Sequence, residues 1–134
     1  LFSYGTNDSF DTAILGDADA TLCEKDLSKL DLFTMAGAVR WCIDTLKTEF
    51  PNAEIYIALP LQSARDGKNE GNLKKIAIIK KICDAMSVTY FDCYAESGIT
   101  KENSAQYLPD GLHPNREGKE VHADYIIKKL KEVN

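Results

Sequence analysis

A chain of 134 residues, 44% of them hydrophobic, suits one globular domain that buries roughly two thirds of its unfolded surface. Its 16 Lys and Arg against 21 Asp and Glu leave a net charge of -5, which repels phosphate backbones and anionic lipid and argues against nucleic acid as a partner. No apolar run approaches the roughly 20 residues of a membrane span, and the opening residues lack the succession of a signal peptide.

Leu1 to Tyr4 is an apolar, β-prone run and reads as a short first strand. It opens without Met, turn or cap, so the expectation is that further chain precedes it in the parent protein, in preference to proteolytic maturation at a strand. Gly5-Thr6-Asn7-Asp8 then suits a tight turn. The polar connection from Ser9 to about Leu32 reads as loop, with a helical turn or two in the amphipathic stretch Leu22 to Leu30. Met35, Val39, Cys42, Ile43, Leu46 and Phe50 recur at three- and four-residue spacing and predict a helix with one buried stripe, stopped by Pro51-Asn52.

Glu54 to Leu59 is the second predicted strand, and Pro60 with Arg65-Asp66-Gly67 makes a loop after it. Leu73, Ile76, Ala77, Ile79, Ile82, Cys83 and Met86 signal the second helix, and Val88 to Phe91 the third strand. A long loop from Cys93 to Pro114 precedes a last helix with Val121, Tyr125, Ile126 and Leu130 inward and Lys128, Lys129 and Lys131 outward. Strands alternating with helices predict an α/β architecture with parallel strands, in which ligands bind beyond the carboxyl ends of the strands. The Gly5 to Asp8 turn and the loop carrying Asp110 to Asn115 both fall at that end.

Asp110-Gly111-Leu112-His113-Pro114-Asn115 places a carboxylate three residues before an imidazole. A catalytic imidazole needs a carboxylate on Nδ1 to fix its tautomer and stabilise the imidazolium. One such pair is equally compatible with a solvated or structural histidine. The Asn7 side chain, at the end of a parallel strand, can donate to an oxyanion, although Asn and Asp are also the commonest residues of plain turns. Both motifs occurring in this order is far more specific than either one.

Together they resemble the SGNH (GDSL) hydrolases, whose third block is a Gly-x-Asn-Asp turn and whose fifth is Asp-x-x-His, often followed by Pro. The resemblance implies a flavodoxin-like three-layer α/β/α fold with a parallel sheet. Residues 1–134 would form one domain, the C-terminal portion of the family's fold, with the N-terminal strands and the nucleophile block outside this chain. It implies His113 as general base, Asp110 as its orienting partner, Asn7 as an oxyanion donor, and Gly5 and Asp8 as support for the turn.

The implied function is a serine esterase or acylhydrolase of carboxylic esters, acting through an acyl-enzyme without cofactor. Acetyl and short-acyl esters of carbohydrates or lipids fit as substrates. The alternative is a non-catalytic binding module on the same scaffold.

The family's nucleophilic serine follows its first strand in Gly-Asp-Ser, which this sequence lacks; Gly16-Asp17-Ala18 is the nearest approach and reads as loop. Ser9, Ser97 and Ser104 lack a strand-to-helix setting that would present a nucleophile. Loops from Gln62 to Asn72 and from Ala95 to Leu108 are expected to set specificity. Loss of the serine-bearing strand would leave the first strand unpaired on one side, which predicts pairing with an N-terminal segment or self-association there.

No metal is expected, since His122 lies too far along the last helix to join Asp110 and His113 and reads as a surface or core-edge histidine. Cys23, Cys42, Cys83 and Cys93 have no zinc-ligand spacing and read as ordinary thiols, which leaves the compartment open.

Overall fold

The computed structural model describes residues 1–3, 5–7 and 11–133. Among them, β1 (Phe2–Ser3), β2 (Tyr56–Ala58) and β3 (Thr89–Phe91) form a parallel sheet in the order β1-β2-β3. Helix α3 (Met35–Glu49) connects β1 to β2, α4 (Lys68–Ala85) connects β2 to β3, and α7 (Arg116–Val133) closes the chain. The sheet grows in one direction, so crossovers of one hand place α3 and α4 on the same face.

Side chains alternate across a strand, and β2 sorts its residues by that rule. Ile57 and Leu59 join a core with Val39, Ile43, Ile76, Ile79 and Ile82 from α3 and α4. Tyr56 and Ala58 turn the other way, to Phe91 and to Tyr125 of α7. The result is the three-layer α/β/α arrangement with a parallel sheet that the family resemblance implies.

The long helices follow their apolar periods with informative exceptions. Phe50, expected in the buried stripe of α3, is exposed because the helix ends at Glu49 and Phe50 is its C-cap. On α4, Leu73 and Ala77 face solvent, while Asn72 and Lys75 join Ile76, Ile79, Ile82 and Cys83 inside. A stripe counted on apolar residues alone is thus rotated from the true one. Lys129 of α7, expected outward, bends over the Tyr125 ring to pair with Glu96 at 2.8 Å.

The connections hold more structure than their composition suggests. Between β1 and α3 lie α1 (Thr12–Leu15), α2 (Ala18–Cys23) and a 3-10 turn (Leu27–Lys29). The helical part of this segment therefore begins before the predicted Leu22. Asp17, read within a loop, is the N-cap of α2 and accepts from the backbone N–H groups of Asp19 and Ala20. The segment after β3 holds α5 (Cys93–Glu96), capped by Asp92, and α6 (Ser104–Tyr107). All four cysteines are free.

Candidate active site

The carboxyl ends of β1 and β2 and the loop before α7 converge on one cleft, of about 260 Å³, lined by residues including Asn7, Leu59, Gln62, Leu112, His113 and His122. Two motifs separated by more than a hundred positions in the sequence are therefore neighbours in space.

At the end of β1, Gly5 has φ +99°, a backbone conformation that other residues adopt only under strain. Its place is also tight: a Cβ there would lie 3.4 Å from Ile79 and 3.5 Å from Met35 and Pro60. The chain turns away through Thr6 to Asn7, which is exposed on the cleft. Asp8, the other residue expected to support this turn, lies outside the described residues, as does Ser9.

Across the cleft, Asp110 folds back on its own turn. Its Oδ1 accepts the backbone N–H groups of Leu112 at 3.0 Å and His113 at 2.7 Å. Its Oδ2 meets His113 Nδ1 at 2.6 Å. Gly111, at φ +77° and packed on Ala64 and Arg65, makes this reversal possible. Hydrogen bonding from the His113 backbone, the His113 ring and the Leu112 backbone holds the Asp110 carboxyl well below the usual carboxylate range. An ionised Oδ2 carries no proton, so a hydrogen bond to it requires Nδ1 to donate, and in the neutral ring the lone pair is then on Nε2.

The loop after β2 buttresses this turn, a role the sequence reading does not contain. Arg65 donates from Nε to the Asp110 carbonyl at 3.0 Å and from Nη2 to Asp110 Oδ2 at 2.8 Å. Buried Ser63 donates to the Gly111 carbonyl at 2.6 Å and is itself tied to Asn69. Gln62 bridges the Tyr94 carbonyl and the Lys101 N–H. Gln62 and Arg65 fall inside the Gln62 to Asn72 loop flagged for specificity, but nothing local in the sequence marks them as partners of Asp110 or Tyr94.

His122 contributes to the cleft wall, and its buried Nε2 has no hydrogen-bond partner among the described residues. Ser97 and Ser104 are buried and serve their own loops, Ser97 Oγ accepting from Ile99 and Ser104 Oγ donating to Lys101. Burial pushes the Cys83 and Cys93 thiols up to about 12, which removes their nucleophilic form at neutral pH. No serine among the described residues is hydrogen-bonded to His113.

Comparison with curated protein sequences returned no match. Solved structures are similar along nearly the whole chain. One is 27% identical with a TM-score of 0.78, covering 98% of this chain and 63% of that one. A protein from Lactobacillus plantarum, 22% identical with a TM-score of 0.79, shares the fold over 97% of this chain and 64% of its own. The esterase domain of the ZfL2-1 ORF1 protein from the zebrafish ZfL2-1 retrotransposon is 26% identical with a TM-score of 0.56, over 71% of this chain and 56% of that domain. The chain spans less than two thirds of the length of these structures. The model of the GDSL-like lipase/acylhydrolase family matches residues 1–121, and the chain belongs to that family.

Proposed function

We propose that this chain carries the base and the oxyanion donor of a carboxylic-ester hydrolase. The observation that carries the reading is the Asp110–His113 pair, Oδ2 to Nδ1 at 2.6 Å, on the cleft that Asn7 also lines. Its family and the esterase domain among its structural neighbours support the same chemistry.

In this reaction a serine Oγ attacks the ester carbonyl carbon while its proton passes to His113 Nε2. The carbonyl oxygen becomes an oxyanion, stabilised by the Asn7 side-chain amide. Collapse breaks the bond to the alcohol oxygen, which takes the proton from His113 and departs. Water then attacks the acyl-serine, its proton moves to His113, and the acid leaves as the serine regains its hydrogen. Asp110 holds the imidazole in the Nδ1–H tautomer throughout. In this reading the serine comes from the full-length protein, because no described serine, Ser3 on the cleft wall included, is hydrogen-bonded to His113.

Leu59, Pro60, Leu61 and Leu112 beside the cleft suit a short acyl chain, and acetyl or short-acyl esters are the proposed substrates. The test is hydrolysis of short-chain aryl esters by the full-length protein. His113→Ala should lower turnover by several orders of magnitude, and Asn7→Ala by roughly 10² to 10³, because base and oxyanion donor act in the transition state. Wild-type turnover in His113→Ala would exclude the base role and favour a binding module on the same scaffold.

A further inference from the structure

We propose that Lys75 is a positioning residue that holds the Asn7 turn in place as an oxyanion donor, an inference that rests on the esterase reading above. Lys75 is fully buried, in the middle of the inward stripe of α4. Its ammonium donates to the Gly5 carbonyl at 2.8 Å and lies 3.5 Å from the Thr6 carbonyl. Lys68, two helical turns earlier, also donates to the Thr6 carbonyl. One helix thus grips two successive carbonyls of the turn that ends in Asn7.

The geometric consequence follows from peptide planarity. Pinning the Gly5 carbonyl fixes the Gly5–Thr6 plane, and pinning the Thr6 carbonyl fixes the Thr6–Asn7 plane, whose far corner is the Asn7 Cα. Two fixed planes leave little freedom in where Asn7 starts its side chain. The turn needs such support, because Gly5 is the residue type with the loosest backbone and Asn7 is exposed. A donor displaced by about 1 Å from the developing oxyanion can cost on the order of 10²-fold in rate.

An ammonium is an uncommon choice for a buried helix position. Burying a charge is costly, and an apolar side chain of similar volume commonly replaces a buried charged group without loss. Lys75 also interrupts a stripe otherwise made of Ile76, Ile79, Ile82 and Cys83. The hydrogen bonds of the lysine include those to the Gly5 and Thr6 carbonyls, which a methionine cannot make.

The experiment is a double-mutant cycle in the full-length protein, with Lys75→Met and Asn7→Ala made singly and together and a short-chain aryl ester as substrate. Lys75→Met alone should lower kcat about 10- to 100-fold with KM within about twofold. In the Asn7→Ala background the same substitution should cost less than about twofold, because a residue that acts through Asn7 has nothing left to position. Equal losses in both backgrounds, or a wild-type kcat in Lys75→Met, would overturn the proposal.

Should Lys75→Met fail to fold, Lys68→Met carries the same cycle through the same Thr6 carbonyl, with the same outcomes. Should the wild-type protein hydrolyse no ester, the esterase reading falls, and the positioning claim is decided by crystal structures of wild type and Lys75→Met. Displacement of Asn7 relative to β2 supports it, and an unmoved Asn7 overturns it.

Discussion

Asp110 accepts from Leu112 and His113 on one oxygen and from His113 and Arg65 on the other. The contacts that orient the ring are local, so Asp-x-x-His announces them in the sequence. Arg65 lies 45 positions away and Lys75 lies 70 positions from Gly5, distances at which no spacing rule operates. That is why Asp110, His113 and Asn7 are legible as candidates and the groups that hold them are not. A lysine inside an apolar period was the available signal for Lys75.

His122 carries a consequence for pH. Burial lowers the pKa of its imidazole from the ordinary value of about 6.5. Between the two values the unfolded chain binds a proton that the folded chain excludes. Stability therefore falls as pH drops through that window, and above about 6.5 the residue contributes nothing either way. Asp26, Glu96, Glu102 and Asp110, whose pKa values are lowered by hydrogen bonding, lose their stabilisation only in the more acidic range below about 4.5. Urea midpoints measured at about pH 7.5 and 5.5 should fall in wild type and fall less in His122→Leu. Equal slopes would show that His122 titrates as it does in water.

Among the elements, α7 is fastened at its first turn, next to the candidate base. Asn115 caps it by accepting from Gly118 N–H at 2.9 Å, and reaches back to the Gln106 carbonyl at 2.7 Å and, through its own N–H, to the Tyr107 carbonyl at 2.9 Å. Gly118 allows this approach: a Cβ there would lie 2.6 Å from the Tyr107 carbonyl oxygen and 3.2 Å from Pro114. Helix propensity alone favours Gly118→Ala by about 1 kcal/mol. The clash is with backbone and reverses the sign, so a net destabilisation of about 1–3 kcal/mol is expected in denaturant unfolding. A stabilised variant would show that α6 and α7 are free to separate.

The same scale shows where the reading of elements ran out. Helices α3, α4 and α7 are long enough to display an apolar period, and each was legible. Helices α1, α2, α5 and α6 span four to six residues, less than two turns, where periodicity has no meaning and isolated helices have no stability. What holds three of them is a cap, from Asp11, Asp17 and Asp92. The same aspartates make the segments look like polar loop.

At the scale of the whole molecule, the two cores are built on one strand. Ile57 and Leu59 face the α3 and α4 layer, Tyr56 and Ala58 the α7 layer, and a slip of one residue would exchange the two sets. Neither core can loosen alone without disturbing β2, so the layers should unfold together. Separate reporters for the two sides are obtained in a Tyr90→Phe, Tyr94→Phe background, because those two rings pack against the α3 and α4 core. Trp41, the single tryptophan, lies on α3, and Tyr56 and Tyr125 lie in the opposite core. Tryptophan fluorescence and tyrosine near-ultraviolet dichroism should therefore give coincident urea midpoints. Ile57→Ala removes a fully buried side chain from the α3 and α4 side and should cost about 2–5 kcal/mol. If the layers are one cooperative unit, that loss lowers the tyrosine midpoint, reported from the untouched side, as much as the tryptophan one. A tyrosine transition that stays in place while the tryptophan transition moves would show two separately folding layers, and with them more than one cooperative unit in these 134 residues.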